Sequence, residues 1–229
     1  MGTVNPAVES ARRWSYAVLV LLTLAAGAMD AIAFLGLGGV FTANMTGNLI
    51  LVALVGGEDW QARALRAGLA CVIFCAGLLA GFAMPGSGRG GGRRPSAVTH
   101  LIWADLALQL VFLAAWTLCG ATPGPVLTLV LIAVASCAMG LQVAAARRIN
   151  IAGITTAFVT GTLTSLVESS VSRGSTDLAR RAVIVTALVT GALCSSLLLH
   201  LAPAWAGALP PVFLLLALVT IASRLRDLA

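Results

Sequence analysis

Six apolar windows, each close to the ~20 residues a helix needs to cross a bilayer, constrain this chain more than anything else in it. They are Trp14–Leu35, Ala64–Met84, Val98–Leu118, Val126–Ala146, Ala179–Leu201 and the shorter Ala206–Ile221. Only 10% of residues are charged, against about 25% in soluble domains. The longest polar stretch, Gly86–Ser96, is too short to build a separate core, so the expectation is one membrane domain over residues 1–229. The predicted fold is all-α: a polytopic transmembrane bundle of six full spans plus two short helices. The net charge of +6 is spread over loop arginines that set topology, and it is not a nucleic-acid footprint. Arg12-Arg13 and the apolar run behind them mimic a signal peptide, but the run is long and leads directly into a polar motif, so it reads as an uncleaved first span.

The two short segments, Val40–Val55 and Gly153–Val167, carry the polar residues. The first holds Phe41-Thr-Ala-Asn-Met-Thr-Gly-Asn-Leu49, and a degenerate copy, Thr155-Thr-Ala-Phe-Val-Thr-Gly-Thr-Leu163, follows 114 positions later. Gly39, Thr42, Ala43, Thr46, Gly47 and Leu49 recur as Gly153, Thr156, Ala157, Thr160, Gly161 and Leu163. Chance matching in such a composition gives roughly one position in ten, so a duplication is expected, with repeats over 14–119 and 125–222. Paired polar, glycine-bearing segments in a membrane domain are a transporter or channel pattern.

The arginines discriminate between two topologies. If all eight segments cross from a cytoplasmic N-terminus, nine arginines lie inside and five outside. If the two short segments are re-entrant, only Arg63 and Arg66 lie outside, leaving twelve inside. The second split follows the positive-inside rule far better, and it makes the two halves inverted.

Asp30 sits deep in the first window, where an ionised carboxylate costs about 2.5 to 3.5 kcal/mol on insertion scales. It must face a polar interior, find a partner or take up a proton, as a solute or proton site or as a structural carboxylate. Thr42/Thr46 and Asn44/Asn48 form i,i+4 pairs that would stack on two helix faces, and Gly47 would admit a neighbouring backbone. Thr156, Thr160 and Gly161 repeat the threonine pair and its glycine. Asp105, one turn before Gln109, is a second intramembrane acid, and Gln142 is a hydrogen-bonding group inside the fifth window. Lining a solute path and gluing helices together are the competing roles for these side chains. Gly77-x-x-x-Gly81 reads as a packing surface. The five cysteines lie in apolar segments without a C-x-x-C or nearby His, so no metal site is expected.

The run from Met29 to Asn48, with Gly140-Leu-Gln142, Arg147-Arg148 and Thr155-Thr156 to Leu163, resembles the YoaK-like family of bacterial inner-membrane proteins of unknown function. Similar proteins often carry Asn where this chain has Val143, so a Gln–Asn pair has no counterpart here. The resemblance implies about six spans and supplies no substrate.

The residues together point to a small-solute transporter or channel with its site near the midplane, at Asp30 and the two Thr-Gly motifs. The competing expectation is a membrane scaffold or regulatory protein. No catalytic set, cofactor or metal is expected, so the chain is not read as an enzyme. The expected partners are the lipid bilayer and a small solute of unspecified identity. A homo-oligomer is allowed, and the location is a bacterial inner membrane.

Overall fold

The computed structural model describes residues 6–57, 59–85, 97–149, 164, 167 and 175–225. All the regular structure among them is helical. Seven α-helices run as α1 Pro6–Gly36, α2 Met45–Ala53, α3 Trp60–Ala83, α4 Ala97–Leu118, α5 Pro125–Ile149, α6 Ser175–Leu201 and α7 Leu209–Leu225. A 3-10 turn, Pro203–Ala208, joins α6 to α7. Among the described residues six stretches are long and apolar enough to cross a membrane: Arg13–Gly36, Trp60–Ala83, Ala97–Leu118, Pro125–Ile149, Leu178–Leu201 and Pro203–Ser223.

Local chemistry sets the boundaries. α1 stops where Gly38 and Gly39 take positive φ angles of 88° and 77°, which cost glycine little. Their turn is closed by the Gly39 amide donating to the Phe34 carbonyl at 3.0 Å. Asn44 caps α2, its side-chain oxygen accepting from the Gly47 amide at 3.4 Å. At the far end of α3, Arg148 from α5 donates to the carbonyls of Gly81, Phe82 and Met84, which the helix itself leaves unpaired.

Contacts along the helices fix their directions. α1 packs most extensively on α6, with Gly27 against the Leu188 carbonyl and Gly191 against that of Leu24. The Tyr16 hydroxyl donates to the Arg180 carbonyl at 2.8 Å, so the starts of α1 and α6 lie together and the two run the same way. α3 packs in the same manner on α5. Gly77 meets the Cys137 carbonyl, Gly140 meets that of Phe74, and Gly81 meets the Ala144 methyl, again with both helices running together. The expected packing role of Gly77 and Gly81 is therefore what the backbone shows. α4 lies on α5 and α7 on α1, both antiparallel, because Trp116 near the end of α4 meets Gly36 at the end of α1, beside the start of α3, and Gly207 just before α7.

α1 ends where α3 begins, since the Arg66 side chain of α3 lies against Gly38. α2 between them has nine residues and spans about 13 Å, under half of the ~30 Å hydrocarbon core. It does not cross. The second short segment, Gly153–Val167, lies outside the described residues apart from Thr164 and Val167.

Candidate functional site

The first polar motif does not form the single helix that its i,i+4 spacing predicts. The chain is irregular from Leu37 to Asn44 and helical only from Met45. Thr42 and Asn44 therefore precede the helix while Thr46 and Asn48 lie within it, and neither pair stacks on one face. The cause is local: an asparagine before a glycine at Gly47 caps a helix better than it continues one.

Asp30 organises this irregular stretch. Its Oδ1 accepts from the Thr42 amide at 2.7 Å, the Thr42 hydroxyl at 3.0 Å and the Ala43 amide at 2.8 Å. Hydrogen bonds to a charged acceptor are worth about 1.5–3 kcal/mol each, enough to hold the loop in register. Asp30 itself is half-buried. Asn48, fully buried, acts as a second staple. Its Oδ1 accepts from the Phe41 amide at 2.9 Å, and its Nδ2 donates to the Phe41 carbonyl at 2.6 Å. Phe41 then stacks on Phe34 of α1, with centroids 5.1 Å apart. Gly47 makes room for the Phe41 ring and not for another backbone. Asn44 and Thr46 are exposed.

Asp105 lies apart from this cluster, near the middle of α4 and fully buried. The Nε2 of Gln109 donates to its Oδ1 at 3.3 Å. Two acceptors remain without a hydrogen-bond partner, Asp105 Oδ2 and Gln109 Oε1. A buried unmet acceptor costs about 1–3 kcal/mol, and more when it carries charge. With no exposed surface, the carboxylate faces the bundle interior. Asp105, Gln109, Phe112 and Trp116 follow the i, i+4, i+7, i+11 pattern of one helix face. All four are buried, and the rings of Phe112 and Trp116 stack 5.9 Å apart. The Trp116 ring reaches Gly36 at the end of α1 and Gly207 before α7, and its Nε1 donates to the Pro203 carbonyl at 2.9 Å.

Depth follows from the helical rise. Asp30 is six residues before Gly36, and Gln109 is seven before Trp116, which touches Gly36. At 1.5 Å per residue both polar groups lie about 10 Å below that contact, at one level in the bundle. Gln142 is deeper. Its Nε2 donates to the Leu22 carbonyl of α1 at 2.8 Å, and its Oε1 is a further buried acceptor without a partner.

The sequence-derived site thus resolves into three places. Asp30, Thr42, Asn44, Gly47 and Asn48 gather at the loop after α1, where Thr46 is exposed. Asp105 pairs with Gln109, and Gln142 stands alone on the α1–α5 contact. Thr156, Thr160 and Gly161 lie outside the described residues. Gln109 and Trp116 did not stand out as site residues in the sequence. The i,i+4 spacing to Asp105 is a signal for Gln109, whereas nothing local marks Trp116, whose contacts are far away in the chain.

A family model described as "Protein of unknown function (DUF1275)" matches residues 18–221. The chain is also 37% identical over 151 residues to the UPF0700 transmembrane protein YoaK of Bacillus subtilis (strain 168). That alignment covers 66% of this chain, which spans 65% of the length of the relative. No solved structure matches the chain significantly.

Proposed function

The chain belongs to the DUF1275 family, whose description assigns no activity, and we propose from its own residues that it is a transporter or channel for a small polar solute. The observation that carries this reading is the pair of unpartnered acceptors, Asp105 Oδ2 and Gln109 Oε1, fully enclosed at mid-depth in α4. Intramembrane acids are costly, and they are kept where a solute or ion pathway uses them. Two bare acceptors side by side suit a solute that presents hydrogen-bond donors, such as ammonium or a small amine. Asp30 takes a different part, because its contacts go to the backbone of the loop after α1. Through its Oδ1 it positions that loop at the level of Gln109.

Arg13, Arg147, Arg148, Arg180 and Arg181 gather at the end where α1 and α6 begin and α5 finishes, while Arg63 and Arg66 mark the other end. Under the positive-inside rule the first end faces the cytoplasm of a bacterial inner membrane.

The test is flux in proteoliposomes, measured by osmotic swelling and pH-dye response with ammonium, methylamine, glycerol and small amino acids. The expected result is protein-dependent entry of a donor-bearing solute, lost in Asp105→Asn while thermal unfolding stays cooperative. Flux no greater than in empty liposomes across this set, or equal flux in Asp105→Asn, defeats the reading. The competing reading, a non-transporting scaffold, draws support from the Asp30 and Asn48 staples, which spend intramembrane polar groups on architecture alone.

A further inference from the structure

The helix pairings repeat themselves in a pattern that chain order does not require. α1 lies between α6 and α7, parallel to the first and antiparallel to the second. α5 lies between α3 and α4 in the same relation. Exchanging α1 with α5, α3 with α6 and α4 with α7 maps one set onto the other. The exchange maps the tight crossings as well, since Gly27 faces Gly191 as Gly140 faces Gly77. Gly77 and Gly191 keep the 114-residue offset of the two polar motifs, and Gly27 and Gly140 differ from it by one residue. Each helix runs opposite to its counterpart, so the axis relating the two sets lies in the membrane plane.

The two sets meet along a thinner seam, α1 on α5 and α4 on α7 with its preceding 3-10 turn. The hydrogen bonds that cross it include Gln142 to Leu22 near mid-span and Trp116 to Pro203 at one mouth. The face of α4 carrying Asp105 and Gln109 leads up to that second bond, beneath the Phe112–Trp116 stack. Backbone-to-backbone glycine crossings make each set stiff, whereas a seam held by side chains can shear.

We propose that α1–α6–α7 and α3–α4–α5 are inverted equivalents, each assembled from helices of both sequence halves, and rock against each other along this seam, with Trp116 closing one mouth in the state described. The rocking gives the transporter reading its alternating access and rests on that reading for its purpose only; the motion is measurable without any solute.

Spin labels on the full chain in lipid nanodiscs, in a cysteine-free background, test it. One pair, at Leu118 and Leu201, spans the mouth beside Trp116, and a second, at His100 and Ser223, spans the opposite mouth. Both pairs sit on exposed positions. A control pair at Val72 and Val130 lies within one unit. The expected result is two distance populations for each mouth pair, with Trp116→Ala shifting the first pair longer and the second shorter while the control stays fixed. Trp116→Phe keeps an aromatic ring but loses the bond to Pro203 and the reach to Gly36, so it gives the same shift in smaller measure should the alanine variant fail to fold. Single, unchanged distances at both mouths in the parent and in Trp116→Phe overturn the rocking. Opposed opening without flux of any solute tested leaves the rocking standing and removes the transporter reading. Flux with rigid mouths does the reverse.

Discussion

Gly27 of α1 and Gly191 of α6 press their helices together so closely that a methyl group on either would strike a carbonyl oxygen of the other. Gly77 and Gly140 set the same relation between α3 and α5. Without a hydrophobic driving force between helices in lipid, such close backbone approach is a main source of association.

Alanine at any of these four glycines should therefore destabilise the fold, by about 1–3 kcal/mol for the overpacking. Thermal unfolding in detergent is the measurement. Gly124→Ala is the control: nothing lies within 4 Å of a methyl group there, and its unfolding temperature should not move.

Asp30→Ala removes the acceptor of three hydrogen bonds, and the loop from Phe41 to Asn44 should then become accessible to thiol reagents at an introduced cysteine. Asp30→Asn keeps one oxygen in place and should loosen the loop less. Asn48→Ala leaves both polar groups of Phe41 unpaired and should cost about 1–3 kcal/mol. Thr46→Val, at an exposed position, should stay within about 0.5 kcal/mol.

Asp105 and Gln109 should show the opposite sign. Replacing both with leucine removes a weakly paired carboxylate and a bare carbonyl from a buried site, and such exchanges are commonly neutral or stabilising by about 1–4 kcal/mol. An unfolding temperature equal to or above that of the parent, together with lost flux, would mark the pair as functional. A large drop would mark it as structural.

Arg148→Lys should keep part of the cap that Arg148→Ala loses. The carbonyls of Gly81, Phe82 and Met84 all accept from one guanidinium nitrogen, Nη2, and an ammonium likewise gathers its three donors on one nitrogen. The alanine variant should fray the end of α3, seen as faster hydrogen exchange around Gly81–Met84, and the lysine variant should do so less.

The spans were readable because apolar length alone specifies them. Val98–Leu118 and Val126–Ala146 from sequence became Ala97–Leu118 and Pro125–Ile149 in the structure. The polar motif was not readable at the same level. Its every-second-residue pattern fits a helix as an abstract spacing, but Asn44 ends the loop by capping, and Asp30 holds the preceding amides from a helix already completed. Trp116 and the glycine partners were invisible for a further reason. Gly77 carries no mark that its neighbour is Gly140, since that pairing exists only once the helices are assembled.

Tyr16 and Arg180, joined across 164 residues, give the α1–α6 contact a consequence for biogenesis. Translation delivers α1 to the membrane long before α6 exists, and its natural neighbour in sequence, α3, is not its main partner. The glycine-bearing flank of α1 must therefore wait in lipid, or against the insertion machinery, until the last third of the polypeptide arrives. A ribosome stalled before α6 should leave α1 crosslinkable to the translocon, and release of the completed chain should end that association.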